Sequence, residues 1–270
     1  MLFAFVAQAR PLPGPPQQQQ QTAPPPKPQA APQQPGSPPS QAPAVQPPAA
    51  PAAPPYTGPM IVLDPAHGGT DTGARGETGA LEKDLVLDYA GMARSELESQ
   101  GFHVVLTRTG DTNVSFADRA AIANSYRNAI FITLHVASTG AFGTVRTYYD
   151  QFGSEPAPPA ATNTSTTVAA PHSTTLIPWD EAQLPHVDVS RQLATAIQAQ
   201  LAQRFNGSPA APTPAAVRDL RSIDAPAVAI EVSSVSVQNP NALAALAGPL
   251  AVSIARGIQA FLAATPSGGK

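Results

Sequence analysis

The chain has 270 residues, including 33 prolines and no cysteine, and its formal net charge is −3. The lack of cysteine excludes disulfides, thiolate metal ligands and a cysteine nucleophile, so a transition-metal site must use His, Asp and Glu. Charged residues make up only 12% of the chain, which provides no basic patch for nucleic acid. No apolar run approaches the roughly 20 residues that cross a bilayer, and we therefore predict no transmembrane segment.

Residues 1–9 are interpreted as the remnant of an export signal. Leu2 to Val6 form a short apolar core, and Ala7-Gln-Ala9 is a suitable cleavage site. A chance apolar start is the alternative, because the basic region and most of the apolar core of a signal are missing. Residues 10–57 are rich in Pro, Gln and Ala, a composition that remains extended and solvated. We therefore expect an exported protein in which a disordered linker precedes a folded domain over 58–266.

The folded part begins with a strand, a loop, a helix and a second strand. Four apolar residues from Met60 predict a buried strand, which ends at Pro65 in a loop that contains His67 and two glycines. Residues 82–100 predict a helix ended by Gly101, and 102–107 predict the next strand. The apolar stripe of that helix is Leu85, Tyr89, Met92, Ala93 and Leu97. Such a unit places its two strands parallel, joined by a right-handed crossover.

The remaining pattern continues the alternation of strands and helices. It predicts a helix over 115–126, strands over 129–134 and 145–149, a helix over 187–205, a short strand near 216–220, a strand over 227–232, and one or two helices over 243–263 with a break near Gly248-Pro249. Residues 153–185 are rich in Pro, Ala and Thr, and we expect them to be a flexible insertion. The predicted fold is α/β: a mostly parallel, twisted sheet of about six strands flanked by helices, in a single catalytic domain.

Candidate ligands follow the predicted strands. His67 follows the first strand, His135 follows the third, and Glu231 lies near the end of a late one. Glu82 begins the first helix, which starts at the same carboxyl edge of the sheet. Two imidazoles and one carboxylate are a ligand set of catalytic zinc, and the remaining carboxylate is then free to transfer protons.

Each of these residues also has a simpler explanation. A histidine in a glycine-rich loop is often only polar surface, and Glu82 alone fits a first-turn acid favoured by the helix dipole. Glu231 is the most informative, because a carboxylate in an apolar strand is costly to bury unless it is paired, metal-bound or catalytic. The other histidines, interpreted as structural or solvated, are His103, His172 and His186.

Six motifs in order make the metal hypothesis more specific. They are Asp64-Pro-Ala-His-Gly-Gly69, Glu82-Lys-Asp84, Leu106-Thr-Arg-Thr-Gly-Asp111, Arg119 with Ala123-Asn124, Ile132-Thr-Leu-His135, and Ala227-Val-Ala-Ile-Glu231. This series resembles the zinc-dependent N-acetylmuramoyl-L-alanine amidases of the AmiC-like class, over roughly residues 60–264. The resemblance implies one zinc ion per chain on His67, Glu82 and His135, with Glu231 as the catalytic acid/base. It also implies a peptidoglycan substrate, a periplasmic or cell-envelope location, and an activator protein as a candidate partner.

Two departures from the family pattern keep other hypotheses open. Ala66 stands where the family has Gly, and the stretch Val232–Asn239 replaces the family's Gly-Phe and Ser-Asn that follow the catalytic Glu. One alternative is a catalytically weak or silent peptidoglycan-binding relative that recruits or activates another cell-wall hydrolase. Another is a zinc hydrolase of the same fold that acts on free peptides.

Overall fold

The structure, a computed structural model, describes residues 58–152, 178–236 and 239–265. The predicted leader, the linker, most of the predicted insertion, His172 and residue 266 lie outside these residues. The strands are β1 (Met60–Pro65), β2 (His103–Leu106), β3 (Ala129–Val136), β4 (Val145–Asp150), β5 (Thr213–Ala215) and β6 (Ala227–Val232). The helices are α1 (Glu82–Ser99), α2 (Phe116–Asn124), α3 (Val187–Arg204), α4 (Arg218–Arg221), α5 (Pro240–Ala244) and α6 (Ala247–Ala264).

The strands form one six-stranded sheet in the order β2-β1-β3-β6-β4-β5. All neighbouring pairs are parallel except β4 and β6, which are antiparallel. The predicted α/β class with a mostly parallel sheet of about six strands is therefore confirmed. The chain places β2 on one side of β1 and β3 on the other, so the carboxyl ends of β1 and β3 border a crevice. Such switch points are where α/β sheets bind ligands.

Helices cover both faces of the sheet, but unequally. The long helices α1, α3 and α6 pack together on one face and enclose the larger core, which includes Tyr89, Leu134, Ile197 and Ile254. On the other face α2 and the short α4 enclose a smaller cluster around Phe131. The thin cover of that second face leaves room for a cleft near the carboxyl ends of the strands.

One helical stretch, Asn241–Ala264, is long and apolar enough to cross a membrane by length and composition. Half of its most apolar window is buried inside the domain, and α6 packs along both α1 and α3. This burial is typical of a core helix, whose apolar residues are covered by protein on most sides.

Several local predictions agree with the structure. The helix predicted to start at residue 115 is present, with Ser115 as its cap: the Ser115 side-chain oxygen accepts a hydrogen bond from the Asp118 N–H (3.1 Å). Gly101 follows α1 with a φ of 86°, the left-handed conformation expected of a glycine that ends a helix. Four residues of the predicted α1 stripe are buried, whereas Met92 is 48% exposed, so its inclusion was wrong.

The predicted strand near 216–220 is also wrong. The strand lies earlier, at Thr213–Ala215, where it pairs with the end of β4, and residues 218–221 form the helical turn α4. The Val217 N–H donates to Asp150 Oδ1 (2.9 Å) instead of to a neighbouring strand, and this side-chain contact ends the ladder. The prediction took into account neither the proline in β5 nor this hydrogen bond from the backbone to Asp150.

Two other boundaries differ from expectation. The break between the last helices lies at residues 245–246, and Pro249 falls in the first turn of α6, where a missing N–H costs nothing. The described end of the predicted insertion, from residue 178, forms two 3₁₀ turns, Trp179–Glu181 and Leu184–His186. Gln183 between them is fully buried and donates to the carbonyls of Ile223 and Ala225, so this part is fastened to the domain.

Candidate active site

One face of the sheet changes from apolar to polar toward its carboxyl edge. On β3 the side chains of this face are Ala129, Phe131, Thr133 and His135, because alternate residues of a strand share a face. On β6 the same face carries Ala227, Ala229 and Glu231, and on β1 it carries Val62 and Asp64. The candidate site is thus the polar continuation of the small core under α2 and α4.

The structure brings His67, Glu82 and His135 together. Their candidate ligand atoms all lie within 4.8 Å of one another. Oε1 of Glu82 is 3.2 Å from Nε2 of His67 and 3.1 Å from Nδ1 of His135, and the two imidazole rings stand at 90° to each other. Three residues that lie far apart in the sequence therefore face one point, as the strand-end pattern predicted.

Glu82 is held as an ionised carboxylate. It is 5% exposed, and its two oxygens accept hydrogen bonds from the backbone N–H of Ala74 (2.7 Å) and Val136 (2.9 Å). Burial acts to raise the pKa of Glu82, but its hydrogen bonds with His135, His67 and the Ala74 N–H outweigh burial and hold that pKa well below its usual range. The carboxylate therefore stays charged at any physiological pH.

The pKa values of the two histidines are shifted in the direction opposite to that of Glu82. The hydrogen bond with Glu82 raises the pKa of His67 to about 9, against the opposing effect of burial, and Asp71 adds to the rise through a 2.9 Å contact with Nδ1. Burial acts to lower the pKa of His135, but Glu82 and Asp219 raise it on balance. Without metal the cluster is a charged hydrogen-bonded group, and a cation must displace protons to bind.

Arg119 holds the loop that carries His67. His67 has a φ of 61°, a left-handed conformation that costs a residue with a side chain about 1–3 kcal/mol. The Arg119 guanidinium donates to the carbonyls of His67 (2.7 Å), Pro65 (3.0 Å) and Val114 (3.0 Å) and forms a buried ion pair with Asp64. Asp64 also accepts from the Thr133 hydroxyl (2.8 Å). This network compensates for the strain at His67 by satisfying the backbone around it.

Arg108 holds the same loop from the other side. Its guanidinium is 4% exposed overall and donates to the carbonyls of Pro65 (2.8 Å), Ala66 (2.9 Å) and Lys83 (2.7 Å). These bonds connect the end of β1 to the first turn of α1, the two elements that carry His67 and Glu82. Ala66, the departure from the family pattern, is buried at 1% exposure and leaves this contact in place.

The glycines near the cluster are required by close approach. A Cβ on Gly73 would lie 2.5 Å from Oε2 of Glu82 and 2.7 Å from Cδ2 of His67. A Cβ on Gly68 would collide with the carbonyl oxygen of Thr112. Both positions also have positive φ, so the loop packs against Glu82 and against the Thr112 backbone only because these residues lack side chains.

Glu231 lies beside the cluster on the adjacent strand. It is the register partner of His135, is partly exposed, and accepts a hydrogen bond from the Tyr148 hydroxyl (3.1 Å). A cavity of about 390 Å³ is lined by Glu231, Tyr148, His135 and Asp219. A second cavity, of about 150 Å³, is lined by His67, His135, Asp219 and Phe116. The two cavities share His135 and Asp219, so the cluster is open on two sides.

The residues present fit a bound zinc ion by their donor chemistry. Two imidazole nitrogens and one carboxylate oxygen are a ligand set of catalytic zinc sites, and no thiolate is available in a chain without cysteine. The Glu82 carboxylate is further oriented by backbone N–H donors, as metal-ligating carboxylates generally are. The three predicted ligands remain a prediction, and their placement is what a zinc site needs.

Sequence reasoning overlooked several residues of the site. Tyr148, Asp219 and Asp71 had no assigned role. Arg108 and Arg119 were recognised as parts of motifs without a function. The departure at Val232–Asn239 is described only in part: Ser233 donates through its N–H to the Thr144 carbonyl (2.8 Å), and residues 237–238 lie outside the described residues.

An α/β domain with this donor set at the carboxyl edge of its sheet is typical of metal-dependent hydrolases. Residues 61–260 match the family described as N-acetylmuramoyl-L-alanine amidase. The match covers most of the chain, and the protein belongs to this enzyme family.

Individual relatives match over shorter segments. The chain is 45% identical over 76 residues to the amidase AmiA of Escherichia coli K12, which is 28% of this chain and 26% of that protein. It is 40% identical over 95 residues to a sporulation-specific amidase of Bacillus subtilis, covering 34% of this chain and 37% of the relative. The aligned segments thus span roughly a quarter to a third of these curated relatives.

Solved amidase structures share the fold over the whole domain. AmiC2 of Nostoc punctiforme is 25% identical and superposes with a TM-score of 0.54, covering 76% of this chain and 97% of the solved one. The CwlD amidase of Clostridioides difficile, solved in complex with the GerS lipoprotein, is 19% identical with a TM-score of 0.56, covering 76% and 99%.

Proposed function

We propose that this protein is a zinc-dependent peptidoglycan hydrolase that cleaves the amide bond between N-acetylmuramic acid and L-alanine of the stem peptide. In this proposal His67, Glu82 and His135 hold one zinc ion per chain, and Glu231 is the catalytic acid/base. One observation carries it: in a member of the amidase family, Glu231 stands next to the candidate ligand His135 and lines a cavity.

The chain's own residues prepare the metal ligands. The backbone N–H groups of Ala74 and Val136 fix the two oxygens of Glu82, and Asp71 fixes the ring of His67. Bound zinc would supply a Lewis acid and would lower the pKa of water from about 15.7 to near 7. The buried arginines keep the ligand loop in place, so little reorganisation is needed when substrate binds.

Glu231 carries out the proton transfers in the proposed mechanism. It accepts a proton from the attacking water and then delivers it to the nitrogen of the departing L-alanine, because an amide nitrogen leaves poorly without a proton. The Tyr148 hydroxyl donates to Oε1 of Glu231 (3.1 Å) and orients this carboxylate. Glu231 is partly exposed, and among the described residues its side-chain donor is Tyr148, so water can reach the carboxylate, which suits this role.

The two cavities suit a substrate that extends in both directions from the bond that is cut. The amide has a lactyl ether and sugar on one side and a peptide on the other. One cavity of about 390 Å³ and one of about 150 Å³ meet at His135 and Asp219, so groups on both sides of a bound amide have space. A closed pocket for a short free peptide would need residues that separate these two cavities.

Mass spectrometry of purified murein incubated with the zinc-loaded full chain tests the proposal. We expect release of stem peptides with a free L-alanine amino terminus, and no release by Glu231→Ala prepared in the same way. Release of peptides cut at another bond would contradict the proposed specificity. A folded parent that binds no zinc would contradict the proposed site.

The alternative of a weak or silent peptidoglycan-binding relative predicts a different outcome of the same experiment. Such a protein would bind zinc and murein and release nothing, even after long incubation. The altered Val232–Asn239 stretch motivated this alternative. The described part of the stretch is fastened to the β3–β4 loop by the Ser233 and Val235 N–H groups, and it does not line either cavity.

The cellular setting follows from the substrate. We propose that the protein is exported and acts in the periplasm or cell envelope, and that residues 10–57, rich in Pro, Gln and Ala, link the domain over 58–266 to the preceding part of the chain. An activator protein is a further proposed partner, since the CwlD amidase forms a complex with the GerS lipoprotein. Antibody detection of the natural protein in fractions of the cells that make it tests the location, with recovery in the cytosol as the contradicting result.

A further inference from the structure

Each of the two candidate histidine ligands faces Glu82 with one ring nitrogen and an aspartate with the other. His67 faces Oε1 of Glu82 with Nε2 (3.2 Å) and Oδ2 of Asp71 with Nδ1 (2.9 Å). His135 faces Oε1 of Glu82 with Nδ1 (3.1 Å) and Oδ2 of Asp219 with Nε2 (3.9 Å). Each ring thus lies between Glu82 and an aspartate, in hydrogen-bond contact for Asp71 and at a longer ion-pair distance for Asp219, which comes from a distant segment.

The turn that carries Asp219 is anchored on both sides. Before it, the Val217 N–H donates to Oδ1 of the buried Asp150 at the end of β4 (2.9 Å). After it, the Arg221 carbonyl accepts from the Gln183 N–H (3.1 Å). Leu220 between them is fully buried in the small core. The position of Asp219 is thus determined by packing and hydrogen bonds, and not by a free loop.

Asp219 has few other ways to satisfy its charge. Its side chain is 18% exposed, and within residues 58–152, 178–236 and 239–265 the only basic side chain within 4.0 Å of its carboxylate is His135. A carboxylate with so little access to water is costly to place unless a donor or a cation compensates it. The second group near Nε2 of His135 is the Thr133 hydroxyl (3.4 Å), which is neutral and already donates to Asp64 (2.8 Å).

We propose that Asp219 is a positioning residue that accepts a hydrogen bond from the Nε2–H of His135 and so keeps Nδ1 free to bind the metal. Metal-ligating histidines commonly donate their other N–H to a carboxylate, which fixes the tautomer and ring orientation and makes the ligand more basic. The inference rests on the proposed function, because it assigns Asp219 a role through a metal ligand.

The experiment compares Asp219→Asn with Asp224→Asn in the full-length chain. Asp224 is a matched control: it lies in the same segment and pairs with His186 (2.9 Å) away from the site. Zinc affinity is measured by competition with a chromophoric chelator. We expect Asp219→Asn to weaken zinc binding about 10- to 100-fold, the usual effect of losing such a carboxylate, and Asp224→Asn to leave it unchanged.

Histidine ring ¹H–¹⁵N spectra of the zinc-loaded protein give a second test, and its contradicting outcome is read from the parent alone. A proton on Nε2 of His135, hydrogen-bonded in the parent and altered in Asp219→Asn, supports the inference. A proton on Nδ1 overturns it, even where the variant fails to fold. Equal zinc affinity of the parent and a folded Asp219→Asn also overturns it while leaving the proposed function intact. A folded parent without zinc affinity overturns both.

Discussion

The two carboxylates beside His135, Glu82 and Glu231, occupy different surroundings within one site. Glu82 is 5% exposed, accepts hydrogen bonds from two backbone N–H groups and contacts two imidazole rings. Glu231 is partly exposed, accepts a hydrogen bond from the Tyr148 hydroxyl, and lines the cavity of about 390 Å³. Glu82 begins a helix, whereas Glu231 projects from a strand.

The different surroundings of the two glutamates suit them to different tasks, metal binding and proton transfer. A carboxylate held by many donors is fixed as an anion, which suits a metal ligand and prevents it from carrying protons. A carboxylate with one donor and access to water can take up and release a proton during a reaction. Two acids in unequal surroundings are a common way to divide such roles.

The largest expected effect comes from Glu82→Gln. The substitution removes the ligand charge, and one of the two backbone N–H groups, of Ala74 or Val136, then faces an amide NH₂. We expect loss of zinc binding and of activity, together with a destabilisation of about 1–3 kcal/mol for the unsatisfied buried donor. Zinc analysis and urea unfolding measure these effects, with the exposed Glu77→Gln as control. Zinc binding at the parental affinity would contradict the assigned role.

Glu231→Gln is expected to separate turnover from metal binding. Removal of the proton carrier should lower kcat about 10²- to 10⁴-fold, because general acid–base catalysis is usually worth that much. Zinc content and unfolding midpoint should stay near those of the parent, since the residue lies at the cavity and not in the ligand cluster. A parallel loss of zinc would place Glu231 among the ligands.

The stability of the metal-free protein should depend on pH through the pair of His67 and Glu82. The hydrogen bond with Glu82 raises the pKa of His67 from 6.5 to about 9. The stabilisation is therefore fully present below pH 6.5 and is lost as the pH rises through 9. Urea unfolding in the presence of a chelator should show a midpoint that falls over this range, and His67→Gln should reduce the slope. An equal slope in both proteins would refute the linkage.

Tyr148→Phe tests the smallest contribution, the donation from the Tyr148 hydroxyl to Glu231. Loss of one hydrogen bond at this partly exposed carboxylate, worth about 0.7–1.4 kcal/mol, should lower kcat about threefold to tenfold without changing zinc affinity. Tyr149→Phe is the matched control, because its side chain belongs to the large core on the opposite face. Activity of Tyr148→Phe equal to that of the control would show that Glu231 is oriented without this hydroxyl.

The sequence was sufficient to predict that His67, Glu82 and His135 lie close together, because each of them lies where a strongly patterned element begins or ends. An apolar run followed by Pro65 and two glycines predicts a strand and a tight loop, and this pattern places His67 at the edge of the sheet. The apolar strand before His135 and the start of α1 at Glu82 give the other two positions. Parallel strands then bring these ends together without further information.

Tyr148 and Asp219 could not be predicted in the same way. The pattern of β4 predicts a strand, but it contains nothing that specifies an antiparallel position beside β6, on which the contact between Tyr148 and Glu231 depends. Asp219 lies in a segment whose alternation favours a strand, and the real turn depends on the capture of the Val217 N–H by Asp150. Both placements arise from tertiary contacts that no local pattern encodes.

His135 and Glu231 are direct partners in the ladder between β3 and β6. Neighbouring strands lie about 4.8 Å apart, so the backbone hydrogen bonds of the sheet set the offset between the proposed metal ligand and the proposed proton carrier. The loops that follow these strands, at 137–144 and 233–236, can change in length and composition while this offset persists. Substrate preference can therefore diverge at the rim of such a domain while its chemistry is inherited unchanged.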